Sequence, residues 1–436
     1  MLKRLQRVYV YDKIKSEVLQ VERVILHSDL NNFYASVECA EHPELKNRVV
    51  IICGNAKKRR GVVVAKNELA KKKGIKTGDT VWQAQKKCPD LVMVTPDLEK
   101  YRKVSQKVRE IYYEFTDKVE PFGLDEAWLD VTGSVRLFGD GKQIADKIRE
   151  TVKARLGLTV SIGVSFNKVF AKLGSDLKKP DATTCITYDN FKDIVWPLPI
   201  GDILYAGRAT QKKLADCGIT TIGALANAEP EFLERLLGKG GLMLSKYARG
   251  EDDAPVADYG HNEPVKSIGN SITLPRDVDS AEEIRRLLYI LSESVCERLR
   301  EKKLLTRTVT LAVRDTSLAW HDRQCALGEA TMLSATVAET AFKLFCESDF
   351  VGSAVHSLGV RVSNLCEDTG DFQMNLFEDT EERERKTTLE TAMDAIRKKH
   401  GHEAIGRAML IGDDPIYKVN LKGEQIVSFP GTDSTK

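Results

Sequence analysis

The chain holds nine cysteines but no Cys-x-x-Cys pair. That argues against a zinc site and a disulfide framework, and for a reducing, cytosolic compartment. No apolar run reaches the roughly 18 residues that a membrane span needs. The opening stretch, Met1-Leu2-Lys3-Arg4-Leu5-Gln6-Arg7-Val8-Tyr9, lacks the apolar core of a signal peptide. A cytoplasmic protein without membrane contact is therefore expected. A large excess of one charge is missing too, since the net charge is only +2. Any nucleic-acid-binding face must come from local clusters rather than from the whole chain. Such clusters exist at Lys57-Lys58-Arg59-Arg60, Lys71-Lys72-Lys73, Lys86-Lys87, Lys178-Lys179 and between Arg298 and Arg307, whereas Glu367 to Glu384 is acidic. No phosphate loop of the usual kind is present. Gly238-Lys239-Gly240-Gly241 fits neither the Walker A nor the dinucleotide pattern and reads as a turn between helices. His400 and His402 lack the partners of a metal site and read as helix-end residues.

The composition that remains is globular, with 42% apolar and 30% charged residues. A length of 436 residues suggests about three domains. The most informative stretch is Val119 to Val131, which reads as two strand segments with a turn at Phe122 and Gly123. Asp125 and Glu126 sit where an apolar strand begins. Burying ionised carboxylates is costly unless a positive charge offsets them. On a flat strand, neighbours point to opposite faces, so both reach one ion only near a twisted hairpin tip. A solvated turn is the alternative. Val24 to Leu30 is a second β-rich segment, with Asp29 at its end. Adjacent strands of one sheet would unite the three carboxylates. With a backbone carbonyl they form an all-oxygen site that suits magnesium. Two such ions can clamp the oxygens of a phosphoryl transfer.

Three stretches are familiar. Ser28-Asp29-Leu30-Asn31-Asn32-Phe33-Tyr34-Ala35-Ser36-Val37-Glu38 resembles the first catalytic motif of the Y-family lesion-bypass DNA polymerases. Leu124-Asp125-Glu126-Ala127-Trp128-Leu129-Asp130 resembles the second. Ser165 to Leu173, followed by Lys179-Pro180, resembles a third. Within that family the stretches resemble those of the bacterial DNA polymerase IV and V branches. The resemblance runs from about Val24 to about Asp368. It implies an error-prone, template-directed polymerase that adds deoxynucleotides to a primer 3′-hydroxyl. Asp29, Asp125 and Glu126 would be catalytic and would hold two Mg²⁺ ions, with the Leu30 carbonyl as a further ligand. Phe33, Tyr34, Lys71 and Lys179 would meet the nucleotide, Tyr34 by excluding a 2′-hydroxyl. Where the family commonly has a Tyr and an Arg on the triphosphate, this chain has Glu68 and Lys71. Ala206, Gly207 and Arg208 would bind DNA through a helix-hairpin-helix unit, whose usual first glycine is Tyr205 here. Gln373, Leu376 and Phe377 resemble the peptide that docks on the sliding clamp (beta subunit). Primer-template DNA and deoxynucleoside triphosphates are the other implied partners. A monomer is expected, associated with the nucleoid. No stretch suggests a proofreading exonuclease.

The fold class implied is α/β (α+β) and multidomain, a right-hand polymerase with palm, fingers, thumb and little finger. Residues 1–22 form an N-terminal extension. Residues 23–32 and 98–186 form the palm, 33–97 the fingers and 187–255 the thumb. Residues 256–264 are a linker, 265–368 the little finger and 369–436 a C-terminal tail with the clamp motif. Within the little finger the pattern reads strand, helix, strand, helix, strand, with the second helix over Ala330 to Cys346. Glu367 to Lys386 reads as exposed and Thr388 to Lys399 as helical. Two rivals remain, a non-catalytic accessory with a polymerase-like fold and a nucleotidyl cyclase. Intact carboxylates speak against the first, and the duplex-gripping thumb and little-finger patterns against the second.

Overall fold

The β-rich run that ends near Asp29 forms β1 (Ile25–Leu30), buried along its whole length. In the computed structural model the described residues are 22–54, 61–258, 260, 264–369 and 380–410. They divide into two units, with the boundary between residues 261 and 262.

In the first unit, β1 is followed by α1 (Phe33–Glu41), β2 (Val50–Cys53), β3 (Val63–Lys66), α2 (Glu68–Lys72), α3 (Val81–Lys87) and β4 (Val92–Val94). These strands form a small sheet ordered β3-β2-β4. The chain then runs through α4 (Leu98–Tyr113), β5 (Val119–Phe122), β6 (Glu126–Asp130), α5 (Gly141–Leu156), β7 (Val160–Ser165), α6 (Lys168–Leu177) and β8 (Thr183–Cys185). The resulting five-stranded sheet has the order β5-β6-β1-β7-β8. β1 is central and antiparallel to both neighbours. Its position lets two distant segments flank Asp29.

Asp97 caps α4 and Asp140 caps α5, each by accepting a backbone N–H three residues on. The apolar stripes of these helices, including Tyr101, Val108, Ile144 and Ile148, join Leu26, Leu129 and Ile162 in one core. Helix α6 packs on β1 and β7. Gly163 permits that approach, because a Cβ there would lie 1.8 Å from the Ala171 carbonyl oxygen. Further on, α7 (Phe191–Val195), α8 (Arg208–Asp216), α9 (Ile222–Ala226), α10 (Pro230–Leu237) and α11 (Lys239–Ala248) gather round Leu214, Ile222, Leu233 and Leu244. The glycine-rich stretch does turn between two helices, but over a single residue. Only Gly238, with φ 66°, breaks the helices, and α11 starts at Lys239. Gly241 allows close packing, since its Cβ would meet the Leu233 carbonyl oxygen at 2.1 Å.

The second unit contains β9 (Ser267–Val278), α12 (Ala281–Glu301), β10 (Leu304–Asp315), β11 (Trp320–Thr331), α13 (Ser334–Cys346) and β12 (Val355–Glu367). Its antiparallel sheet has the order β11-β10-β12-β9. Leu287, Leu291, Val309, Phe345 and Val360 lie in its core. Strand β11 corrects the expected pattern, and the second helix begins at Ser334 rather than Ala330. The strand lies at the sheet edge and is polar and largely exposed, so it carries little apolar alternation.

Where it is described, the Glu367–Lys386 stretch is largely exposed, as expected, with Glu381, Glu382, Glu384, Arg385 and Lys386 all facing solvent. Helix α14 (Thr380–His400) begins there and buries Glu390, Met393 and Arg397. Arg300 donates to Glu390 at 2.5 Å and to Asp394 at 2.6 Å. Arg397 and Arg407 donate to Glu293 at 2.9 and 2.6 Å. Among the described residues no helix is long and apolar enough to cross a membrane.

Candidate active site

Asp29 stands opposite Glu126 of β6 and Ser161 of β7. The β5–β6 hairpin turns over Gly123, Leu124 and Asp125, one step later than the sequence suggests. Gly123 has φ 81°, a left-handed conformation that glycine adopts without strain. This turn lets consecutive carboxylates share one end of the sheet, since Asp125 lies in the bend and Glu126 opens the strand. The Leu30 N–H donates to the Asp125 carbonyl at 2.9 Å, which joins the two motifs.

Cations already lie on two of these carboxylates. Lys179 Nζ is 2.7 Å from Asp29 Oδ2 and 2.7 Å from Asp176 Oδ1. Lys172, from the middle of α6, bonds Glu126. On the other side His27 Nε2 is 3.3 Å from Glu126 Oε2, but not aligned as a hydrogen bond. His27 Nδ1 instead lies 2.8 Å from Ser175 Oγ. The groups titrate accordingly. Burial pushes Asp29 up to about 6, despite the opposing Lys179 charge. Burial and the neighbouring Glu126 charge raise Asp125. Burial also acts to raise Glu126, but its contacts with His27 and Lys172 outweigh that and hold it at about 2. Desolvation lowers His27 to about 4, so it is neutral near pH 7.

The three carboxylates do not form one tight cluster, because Lys172 and Lys179 draw Glu126 and Asp29 to themselves. Among the described residues, Glu38, Glu41 and His42 alone bring three ligand atoms within 4.8 Å of one another. Glu38 is otherwise engaged, accepting from Tyr101 Oη at 2.7 Å and Lys100 Nζ at 2.9 Å.

Tyr34 stacks on Tyr101, with centroids 4.3 Å apart and rings 11° from parallel. Phe33 is 3% exposed and belongs to the core, which leaves its backbone to meet a ligand. Lys71 lies at the surface, 3.9 Å from Glu68, whose carboxylate accepts from Asn32 at 2.9 Å. Tyr205 adopts φ 68°, the left-handed conformation that a hairpin glycine would supply. It leads through buried Ala206 and exposed Gly207 to Arg208, the first residue of α8, whose N-terminus has no side-chain cap. An open cleft of about 640 Å³ runs from Glu126 and Lys172 to Tyr205 and Gly207. Gln373, Leu376 and Phe377 lie outside the described residues.

Residues 28–176 match the model of the impB/mucB/samB family, and residues 265–376 match that family's C-terminal domain. The chain belongs to the impB/mucB/samB family. Among this family member's curated relatives, DNA polymerase IV of Acetivibrio thermocellus is 48% identical, over 92% of this chain and 100% of the relative. DNA polymerase IV 2 of Halalkalibacterium halodurans is 37% identical, over 89% of this chain and 95% of the relative. DNA polymerase IV 2 of Bacillus subtilis is 38% identical, over 89% and 94%. A solved structure of a Y-family DNA polymerase chimera, Dbh-Dpo4(243-245)-Dbh, matches with a TM-score of 0.70 and 24% identity. That match covers 79% of this chain and 99% of the chimera, and it establishes the α/β polymerase fold. The impB/mucB/samB member described here is thus a Y-family, DNA polymerase IV-like protein and a DNA-directed DNA polymerase.

Proposed function

We propose that this polymerase performs error-prone, template-directed synthesis across lesions by two-metal phosphoryl transfer. The observation that carries the reading is the meeting of Asp29, Asp125 and Glu126, from two separate motifs, at one end of adjacent strands. Their donor atoms are all oxygens, which suits magnesium. Lysine ammonium groups already lie on Asp29 and Glu126, so the pocket accommodates positive charge. These carboxylates and the Leu30 carbonyl would hold two Mg²⁺ ions. When bound, the ions supply a more acidic primer 3′-hydroxyl and neutralisation of the leaving group. The 3′-oxygen bonds to the α-phosphorus as the bond to the bridging oxygen breaks and pyrophosphate leaves.

The chain's own residues position that reaction. Lys179, freed from Asp29, would turn to the triphosphate, with Lys71 as a second point charge. Tyr34, braced on Tyr101, would underlie the sugar and exclude a 2′-hydroxyl, with the Phe33 backbone beside it. Ala206 and Gly207, whose N–H groups bond the Ile203 and Tyr205 carbonyls, would shape the hairpin, and the uncapped helix start at Arg208 would face a DNA phosphate without reading sequence. On this reading 23–32 with 98–186 is the palm, 33–97 the fingers, 187–255 the thumb and 265–368 the little finger. Gln373, Leu376 and Phe377 would tether a monomer to the sliding clamp in the nucleoid, raising its effective concentration at the primer end.

The test is primer extension on a templated hairpin with magnesium. Glu126→Ala is expected to abolish nucleotide addition while duplex affinity persists; extension near the wild-type rate would remove Glu126 from the mechanism. In the same assay Tyr34→Ala should admit ribonucleotides, and an unchanged preference would make Tyr34 an ordinary packing residue.

A further inference from the structure

Lys179 belongs to a short connection between α6 and β8. A lysine side chain is flexible, and such a loop would ordinarily let it wander. This loop is instead fixed from three directions through one residue, Asp181. Its backbone has φ 53°, a strained conformation for a residue with a Cβ. Its N–H donates to Asn31 Oδ1 at 2.8 Å. Its carbonyl accepts from Arg149 Nη2 at 2.5 Å. Its carboxylate accepts from Arg149 Nε and Nη2 at 3.2 and 2.8 Å, and from Lys153 Nζ at 2.9 Å.

The anchors are themselves held. Asn31 is 5% exposed, follows Asp29 by two residues and donates its other amide bond to Ser161 of β7 at 2.9 Å. Arg149 also donates to Asp146 at 3.0 Å and to Thr183 at 3.3 Å. Strain over-determined in this way is a reason to look for a function. The one reactive group that the loop presents to the carboxylates is the Lys179 ammonium.

We infer that Asn31, Asp181 and Arg149 are positioning residues that set Lys179 for the nucleotide triphosphate, with Asn31 tying its loop to the strand that carries Asp29. The inference rests on the reading of Lys179 as a triphosphate contact. It adds that the contact is built from behind, by residues that touch neither nucleotide nor DNA.

The test is steady-state single-nucleotide insertion by the full chain with magnesium, varying the deoxynucleotide. Arg149→Ala should raise KM for nucleotide on the order of tenfold, leaving kcat and duplex affinity within about twofold. Arg149→Lys should recover part of the loss. Asp181→Gly, which tolerates positive φ and lacks the carboxylate, should raise KM without lowering the melting temperature, which separates positioning from folding. In a double-mutant cycle with Lys179→Ala, neither change should add to the lysine's effect. Additive effects, or an unchanged KM in Arg149→Ala and Asp181→Gly beside a raised KM in Lys179→Ala, would overturn the inference alone. An unchanged KM in Lys179→Ala would overturn the reading of the lysine, and the inference with it.

Discussion

Asp29 is buried at one end of β1 with one ammonium against it, and burial still lifts its pKa to about 6. Glu390, in the second unit, is equally buried but better served. It accepts from Arg300, from Arg407, and from both the amide and hydroxyl of Ser334. Glu293 nearby takes Arg397 and Arg407. Both regions bury carboxylates, yet only the second matches them fully. Full matching makes a lock, whose value lies in not leaving a charge stranded. Incomplete matching beside movable lysines makes a site with room for further positive charge, as expected of chemistry rather than support.

The contrast can be broken by experiment. The largest effect is expected from Asp125→Ala. Nucleotide insertion should fall on the order of 10³-fold or more, while the melting temperature stays level or rises. A fall of several degrees would make the palm carboxylates structural and erase the distinction. Arg300→Ala should do the reverse. It strands Glu390 and Asp394, at a cost of about 3–5 kcal/mol in the second unit, readable by chemical denaturation. Insertion into short primers should hardly change under native conditions. A stability loss too small to measure would show that the lock contributes nothing.

A smaller effect concerns pH. The folded pKa of Asp29, about 6, lies above its ordinary 3.8. Its contribution to stability is therefore present below pH 3.8 and lost as pH rises through 6. The full loss is at most about 3 kcal/mol. Glu126, held at about 2 rather than 4.5, contributes in the opposite sense: its stabilisation is present above pH 4.5 and lost as pH falls through 2. Asp29→Asn should accordingly melt higher than the parent at pH 7 in chelator, with the gap closing towards pH 4. A lower melting point at pH 7 would show that Lys179 more than offsets the burial. The smallest effect is the response of the parent to magnesium. Saturation at a hundred times Kd should add about 2.7 kcal/mol, and Asp125→Ala should respond less. An equal response in both would place the ion elsewhere.

The strands that carry the carboxylates are legible because β1 is a short apolar run with Asp29 near its end and β6 one that opens with Glu126. How adjacent Asp125 and Glu126 share one end was open, since it depends on a turn one residue later than expected. Lys172 lies within the third motif, where it reads as one more basic residue. Its pairing with Glu126 spans 46 positions and has no local signal. Asn31 sat inside a recognised motif, but nothing in the sequence connects it to Asp181. Helix α14 is legible over Thr388 to Lys399, but neither its start at Thr380 nor its docking is. Its docked face carries Glu390, Asp394 and Arg397, while Leu389 and Ile396 are exposed. A search for an apolar stripe therefore points to the wrong side.

Gly163 bears on how finely such an enzyme can be tuned. Helix α6 rides against β7 where a side chain at this position would strike the Ala171 carbonyl and the Ser175 amide, and Gly174 passes 3.1 Å from it on the same measure. The thickness of that seam is a gauge. It sets the height of Lys172 above the sheet, and the start of the loop to Lys179, at one stroke. A shim one methyl thick, Gly163→Ala, would lift both ammonium groups together. The spacing between cation and carboxylate is thus machined into the backbone rather than into the side chains that display it, and it offers drift a single coarse step instead of many small ones.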